Sequence, residues 1–347
     1  MKFTDRELAI FEHLRALGEM PPQLRAAADL TSGRIEELVA ELVAYRSETH
    51  GLDLTALGPK GPLAYVDWNE WGGRDIASGE TISGLLFHEG SWTGIHHGIG
   101  GPLDDSTVED VALVFHKEWG SQLYEARKNN RWRRVRVSAV RDEHALYARL
   151  AGYGPDATPD ELLVPSFTVE DSIVSDCGGQ GLQFEHALNR PNETSDPVGQ
   201  STRGGPVIVR RSAFLNCGMW YAWERAAFGL SFFRNWNPLE IEEVLVDKSM
   251  QVKSTGCLLL CGGGEYPATI TDSRFLAGVL TQPIAEIRDR AEVHLRGCHF
   301  EAAGGQSVIK FDRCGRVTLE DCSGNVALRV DGEPAGTISD PDPALRV

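Results

Sequence analysis

Residues 209–214, VRRSAF, and 241–246, IEEVLV, are two copies of one phrase: an apolar residue, two variable residues, one that is often small, a variable residue, then an apolar or small one. Seven more copies begin at Ile82 (ISGLLF), Val108 (VEDVAL), Val135 (VRVSAV), Val169 (VEDSIV), Ile270 (ITDSRF), Leu295 (LRGCHF) and Leu319 (LEDCSG). Recurrence at intervals of 24 to 40 residues marks a solenoid, in which each unit buries its apolar face only against its neighbours.

In the last six copies the residue two before the phrase is also mostly apolar: Phe167, Val207, Leu239, Ala268, Val293 and Val317. Period-two alternation signals a strand, and the polar pair that interrupts it signals a bend between two strands. A third strand follows, as GIHH from Gly94, SQLYEA from Ser121, GLQFEH from Gly181, GLSFFR from Gly229, CLLLC from Cys257 and VIKFD from Val308.

Three short strands per turn with no helix between them resemble the right-handed parallel β-helix of the pectate-lyase-like superfamily. The resemblance covers residues 80 to 331 and implies an all-β solenoid of about nine coils. Before it, residues 1–50 read as a short α-helical segment, with Leu8, Phe11, Leu14 and Leu17 and then Ile35, Leu38, Val39 and Leu42 at helical spacing. That segment is expected to cap the solenoid's open end or to serve attachment. Residues 51–80, rich in Gly and Pro, are a linker and irregular first coil, 81–335 the β-helix, and 336–347 a tail that is frayed or packed across the last coil.

The formal charge of −16 opposes nucleic acid, whose phosphates require clustered Lys and Arg. The run RKNNRWRRVR, residues 127–136, is the exception and reads as a charged edge balancing nearby acids. The same negative field repels a polyanionic glycan and favours a neutral one. Seven cysteines, all between Cys177 and Cys322, lack metal-type spacing. Cys298 and Cys322 share a phrase position with Ser172, Ser212 and Ser273, so they read as small packed thiols. The first residues contain no apolar core of signal-peptide type and no stretch is long enough to span a membrane, so the expected setting is a cytoplasm, as an intracellular or virion protein.

Surplus length falls in the third to fifth intervals, and insertions in a solenoid gather on one face, often the binding face. They carry Trp220, Tyr221, Trp223, Glu224 and Arg225, with Arg234 and Trp236 close by in sequence. Flat aromatic rings with polar edges suit a sugar. Aligning the third strands by their apolar residues puts Glu125 and Glu185 in one column, with His97 one coil earlier and His186 beside Glu185. Carboxylates and imidazoles on one face suit the acid and base of glycoside cleavage, and on a strand they equally suit a solvated surface.

The expected function is a non-catalytic β-helix of structural and recognition type, resembling the rods of phage tail spikes. Its middle coils would bind a surface glycan through His97, Trp220, Tyr221, Trp223, Glu224 and Trp236, and its N-terminal helices would support a homotrimer or larger assembly. The alternative is a polysaccharide lyase or glycoside hydrolase with Glu125, Glu185, His186, Arg225 and Arg234 as catalytic residues. The calcium and Asp motifs that active members of the superfamily carry are not found in the sequence, and neither a metal nor a cofactor is expected.

Overall fold

The structure, a computed structural model, describes residues 5–18, 29–50, 53–66, 73–90, 93–98, 101–153, 157–186, 204–218, 228–233, 237–251 and 254–345. Nearly all of it is parallel β-sheet, arranged as two large sheets that the chain visits alternately. The first sheet runs through Thr81–Gly90, Thr107–His116, Asn130–Ser138, Phe167–Glu170, Val207–Leu215, Leu239–Lys248, Ala268–Thr271, Glu292–Arg296 and Arg316–Glu320. The second runs through Thr93–His97, Trp119–Lys128, Leu146–Leu150, Leu182–His186, Leu230–Phe233, Leu258–Gly264, Ala285–Arg290, Val308–Asp312 and Ala327–Val330. This order is compatible with a β-helix-like solenoid.

Each phrase bends at its third residue. Gly84, Asp110, Arg134, Asp171, Arg211, Glu243, Asp272, Gly297 and Asp321 all have φ between 43° and 66°, the left-handed region that L-residues enter at a cost. One left-handed residue turns the strand while its flanking residues stay paired. In three repeats the residue that follows is a serine, and it repairs the ladder. Ser172 Oγ donates to the Glu170 carbonyl (2.8 Å) and accepts the Val135 N–H of the preceding repeat (3.0 Å). Ser212 and Ser273 repeat this arrangement with Arg210 and Ser172, and with Thr271 and Val244.

The bend also corrects one register. Val108 pairs with Trp132, and Trp132 with Val169, so the third phrase begins at Trp132 rather than Val135. The intervals around it become 24 and 37 residues, and Trp132 is fully buried instead of adding to an aromatic surface. It meets Phe167 at 4.5 Å between ring centroids, and Phe184 and Phe232 continue the interior aromatic stack.

The basic run is an edge laddered with acids, as its sequence suggests. Arg134 binds Asp110 through two contacts of 2.8 and 2.5 Å, and Glu170 lies within 4.0 Å of Arg131, Arg133, Arg210 and Arg211. Where exposed, each such pair adds at most about 1 kcal/mol.

The helices Asp5–Gly18 and Asp29–His50 do not take the position of a cap. Ile10, Leu38, Val39 and Leu42 pack on Leu86, Ala112 and Val114, and Val43 lies with Ile173, Ala213, Leu215 and Leu245. The longer helix therefore crosses successive strands on the flank of the first sheet, where the residues after each bend point outward. Arg46 and Asp176, both nearly inaccessible, form an ion pair of 2.5 Å beneath it. Leu8, assigned by spacing to the apolar face, is 42% exposed; among the described side chains of its helix, Ile10 makes the contact. The tail packs across the last repeat: Glu333–Thr337 and Asp340–Pro341 extend the second sheet antiparallel, and Ile338 and Leu345 join the core.

Glu243 is exposed at a left-handed bend. Glu243→Gly is expected to leave stability unchanged or raise it slightly, whereas Glu243→Val should lower it by roughly 1–2 kcal/mol. Urea denaturation of the two variants checks this, and equal effects would contradict the assignment of the bend.

Candidate functional site

Strand alternation sends every second residue of the second sheet outward. Leu146, Ala148, Leu182, Phe184, Leu230, Phe232, Leu258, Leu260, Ala285 and Ile287 fill the core. Between them Gln122, Tyr147, Gln183, Ser231, Leu259 and Glu286 form one outward column in direct register. A neighbouring column contains Glu185 paired with Phe233, and Cys261 paired with Arg288. With Trp119, Glu143, His144, Gln180, Phe228 and Gln282 along one margin, these columns line a groove of about 600 Å³. Its floor is sheet, so the side chains that face a ligand are held by the backbone ladder beneath them.

The most organised part surrounds Tyr147. Its hydroxyl donates to Glu185 Oε2 (3.2 Å), which also accepts from Gln183 Nε2 (3.4 Å). Burial, and then the adjacent Glu185 carboxylate, push the Tyr147 phenol well above its usual range. The ring stacks on His144 at 5.9 Å and meets Tyr124 edge-on at 6.0 Å. His144 is buried and accepts the Gln180 N–H at Nδ1 (3.2 Å), which assigns its proton to Nε2, 3.8 Å from Glu143 Oε2. Burial lowers the His144 pKa to about 4, so the ring is neutral at neutral pH. Burial raises the Glu143 pKa, with Glu118 and Asp142 adding to the effect. At the other end Arg288 is held by Glu286, through Nε at 3.0 Å and through a second, shorter contact.

Of the residues proposed from sequence, Glu185 lines the groove. Glu125 does not, and the strand Leu146–Leu150 separates its strand from Leu182–His186. Leu123 pairs with Ala148 and Ala126 with Leu150, leaving Tyr124 and Glu125 opposite one residue in a bulge. Glu125, at φ 56°, turns away and accepts the Gly101 N–H (3.0 Å), while Tyr124 faces the groove. His97 joins Glu125 at the same loop, its ring nitrogens 2.9 Å from the Ile76 carbonyl and 3.2 Å from that of Gly101. The pair fastens a loop. The His186 backbone pairs with Leu150; its side chain lies outside the described residues, as do Trp220, Tyr221, Trp223, Glu224, Arg225, Arg234 and Trp236.

Tyr147, His144, Tyr124, Trp119, Gln122 and Gln183 were not singled out from sequence. The available signal was RDEHALYARL itself, an alternating strand whose entry carries Ala145 where neighbouring repeats have Gly120 and Gly181. Among the described residues no group of three or more His, Cys, Asp or Glu is placed to hold a metal ion, and no helix is long and apolar enough to cross a membrane. Comparison with protein-family models, curated proteins and solved structures yields no match for this chain.

Two of the buried imidazoles, His144 and His116, are lowered to about 4 and about 3, chiefly by burial. An unfolded histidine takes up its proton near pH 6.5, so below that pH the unfolded chain binds protons that the fold refuses. Stability is expected to be flat with respect to these groups above pH 6.5 and to fall as pH drops from 6.5 towards 4. Urea midpoints measured through this window, with His144→Gln reducing the slope, check the assignment.

Proposed function

We propose that the chain winds as a right-handed parallel β-helix of about nine coils and that the groove on its second sheet binds a neutral glycan, in a structural and recognition role of the tail-spike type. The observation that carries this reading is the composition of the groove's lining. Trp119, Tyr124, Tyr147 and Phe233 offer ring faces and edges, interleaved with the amides of Gln122, Gln180, Gln183 and Gln282. Rings take the apolar face of a pyranose, and planar amides both donate and accept towards its hydroxyls. A volume of about 600 Å³ lies within the usual range for small-ligand sites. The cation of Arg288 is already bound to Glu286, which disfavours a uronate polymer.

A second reading has one specific observation behind it. Glu143, whose proton is retained to higher pH, and Glu185, whose carboxylate is held by Tyr147 and Gln183, line the same groove. An acid and a base in different environments are what glycoside cleavage requires. In that case Glu143 would protonate the leaving oxygen and Glu185 would act as base or nucleophile.

A glycan panel assayed for binding, for new reducing ends and for unsaturated products separates the readings. The first expects binding of neutral oligosaccharides without turnover, weakened roughly tenfold or more by Trp119→Ala or Tyr124→Ala. Turnover abolished by Glu185→Gln would replace it with the enzymatic reading, and no binding to any glycan would remove both. A spike-type rod is expected to be a trimer, and a strict monomer in light scattering would count against that role.

A further inference from the structure

We propose that Cys298 and Cys322 are a redox pair that closes reversibly into a disulfide and staples the last repeats of the solenoid together. The inference is independent of what the groove binds. It starts from register: Arg296 pairs with Glu320, and His299 with Ser323, in parallel ladders. Cys298 and Cys322 occupy the same place after their bends, so they are direct neighbours on adjacent strands. Hydrogen-bonded strands lie about 4.8 Å apart, within the Cα separation of about 4.4–6.8 Å that a disulfide spans. Both side chains are directed into the slot that Ser172, Ser212 and Ser273 fill earlier in the chain. Each sulfur approaches a carbonyl of the repeat before its own: Cys298 Sγ lies 3.3 Å from the Ile270 carbonyl and Cys322 Sγ 3.4 Å from that of Leu295.

The two thiols are not equivalent. Cys298 is fully buried and Cys322 is partly accessible. The Cys298 thiol hydrogen-bonds to Cys322, which raises its own pKa and lowers that of its neighbour. Its access to solvent makes Cys322 the attacking thiolate and leaves Cys298 as the resolving thiol. With a peroxide as oxidant, the Cys322 thiolate attacks one peroxide oxygen, the O–O bond breaks, and the departing hydroxide takes a proton to leave as water. Cys322 is then a sulfenic acid. Cys298 loses its proton and attacks that sulfur, the S–S bond forms as the S–O bond breaks, and a second water leaves. Two thiols are oxidised by two electrons and one peroxide is reduced to two waters.

A second stacked pair provides an internal contrast. Ser175 pairs with Leu215, placing Cys177 and Cys217, two residues further on, at corresponding positions, but both are fully buried. The same register without access is expected to stay reduced. Solenoids open from their ends, because terminal repeats have one neighbour. A link at Cys298–Cys322 therefore acts where fraying starts.

The folded protein is treated with hydrogen peroxide at neutral pH, alkylated without reduction, digested and examined by mass spectrometry. The expected result is a peptide joining Cys298 to Cys322, absent after dithiothreitol, with Cys177 and Cys217 alkylated only after unfolding. Thermal unfolding should move up by several degrees and proteolysis within residues 299–345 should slow, with neither change in Cys298→Ser or Cys322→Ser. Serine already fills this slot in other repeats, so these variants are expected to fold. Three results would overturn the proposal: Cys322 accumulating as sulfinic or sulfonic acid while Cys298 remains alkylatable, both thiols surviving unreacted, or Cys177–Cys217 closing first.

Discussion

Everything in this molecule depends on one left-handed residue per repeat. A β-strand with no turn of its own is made to change direction by a single φ near +50°, and pairing resumes on the next residue. The cost at each bend is small and is shared, because the residues at the bend stack on their counterparts above and below. Asp110 with Arg134 and Asp171 with Arg211 convert strained positions into charge ladders. In three repeats the serine that follows the bend, Ser172, Ser212 or Ser273, accepts a backbone N–H of the repeat before it. Bend, ladder and hydroxyl form one device, and its regularity sets the register of both sheets.

Once register is set, the two sheets take different partners. On the first sheet, residues after the bend turn Leu86, Ala112, Val114, Ile173, Ala213 and Leu215 outward, and the long helix covers them. On the second sheet the outward columns are polar and aromatic except at Leu259, and among the described elements no helix packs on them. The chain thus spends its apolar outward surface on one side and leaves the other side open as a groove. Tyr147 lies at the centre of that groove because the sheet floor fixes its backbone while His144, Tyr124 and Glu185 fix its ring and hydroxyl.

Much of this is legible in the amino-acid order. The recurrence of apolar, polar pair and small residue reports the bend directly, since the polar pair is the part that leaves the core. Legibility fails where two readings satisfy the same pattern. WRRVRV and VRVSAV both fit the phrase, and the positive φ at Arg134 together with the pairing of Trp132 selects the first. Likewise SQLYEA aligns with GLQFEH by hydrophobicity, but the bulge at Glu125 places Tyr124 in the outward column. The strand Leu146–Leu150 was missed because Ala148 is a weak apolar marker and no glycine announces the corner. Its omission removed Tyr147 and His144 from view and brought Glu125 and Glu185 together on paper. A site built across strands inherits every error of register, whereas the core tolerates such errors because leucine and valine recur in all of them.

The antiparallel strands that close the second sheet have a consequence for how copies of the molecule meet. A stack of parallel strands is a template for its own continuation, since the next strand presents the same hydrogen-bonding groups as the last. Here the direction reverses at Glu333–Thr337, and the outermost strand contains Pro341, which has no N–H to offer. A further parallel strand arriving at this edge of the second sheet meets a strand running the wrong way and a gap in the donor row. The same few residues that finish the core thereby leave the second sheet without a parallel edge at that side.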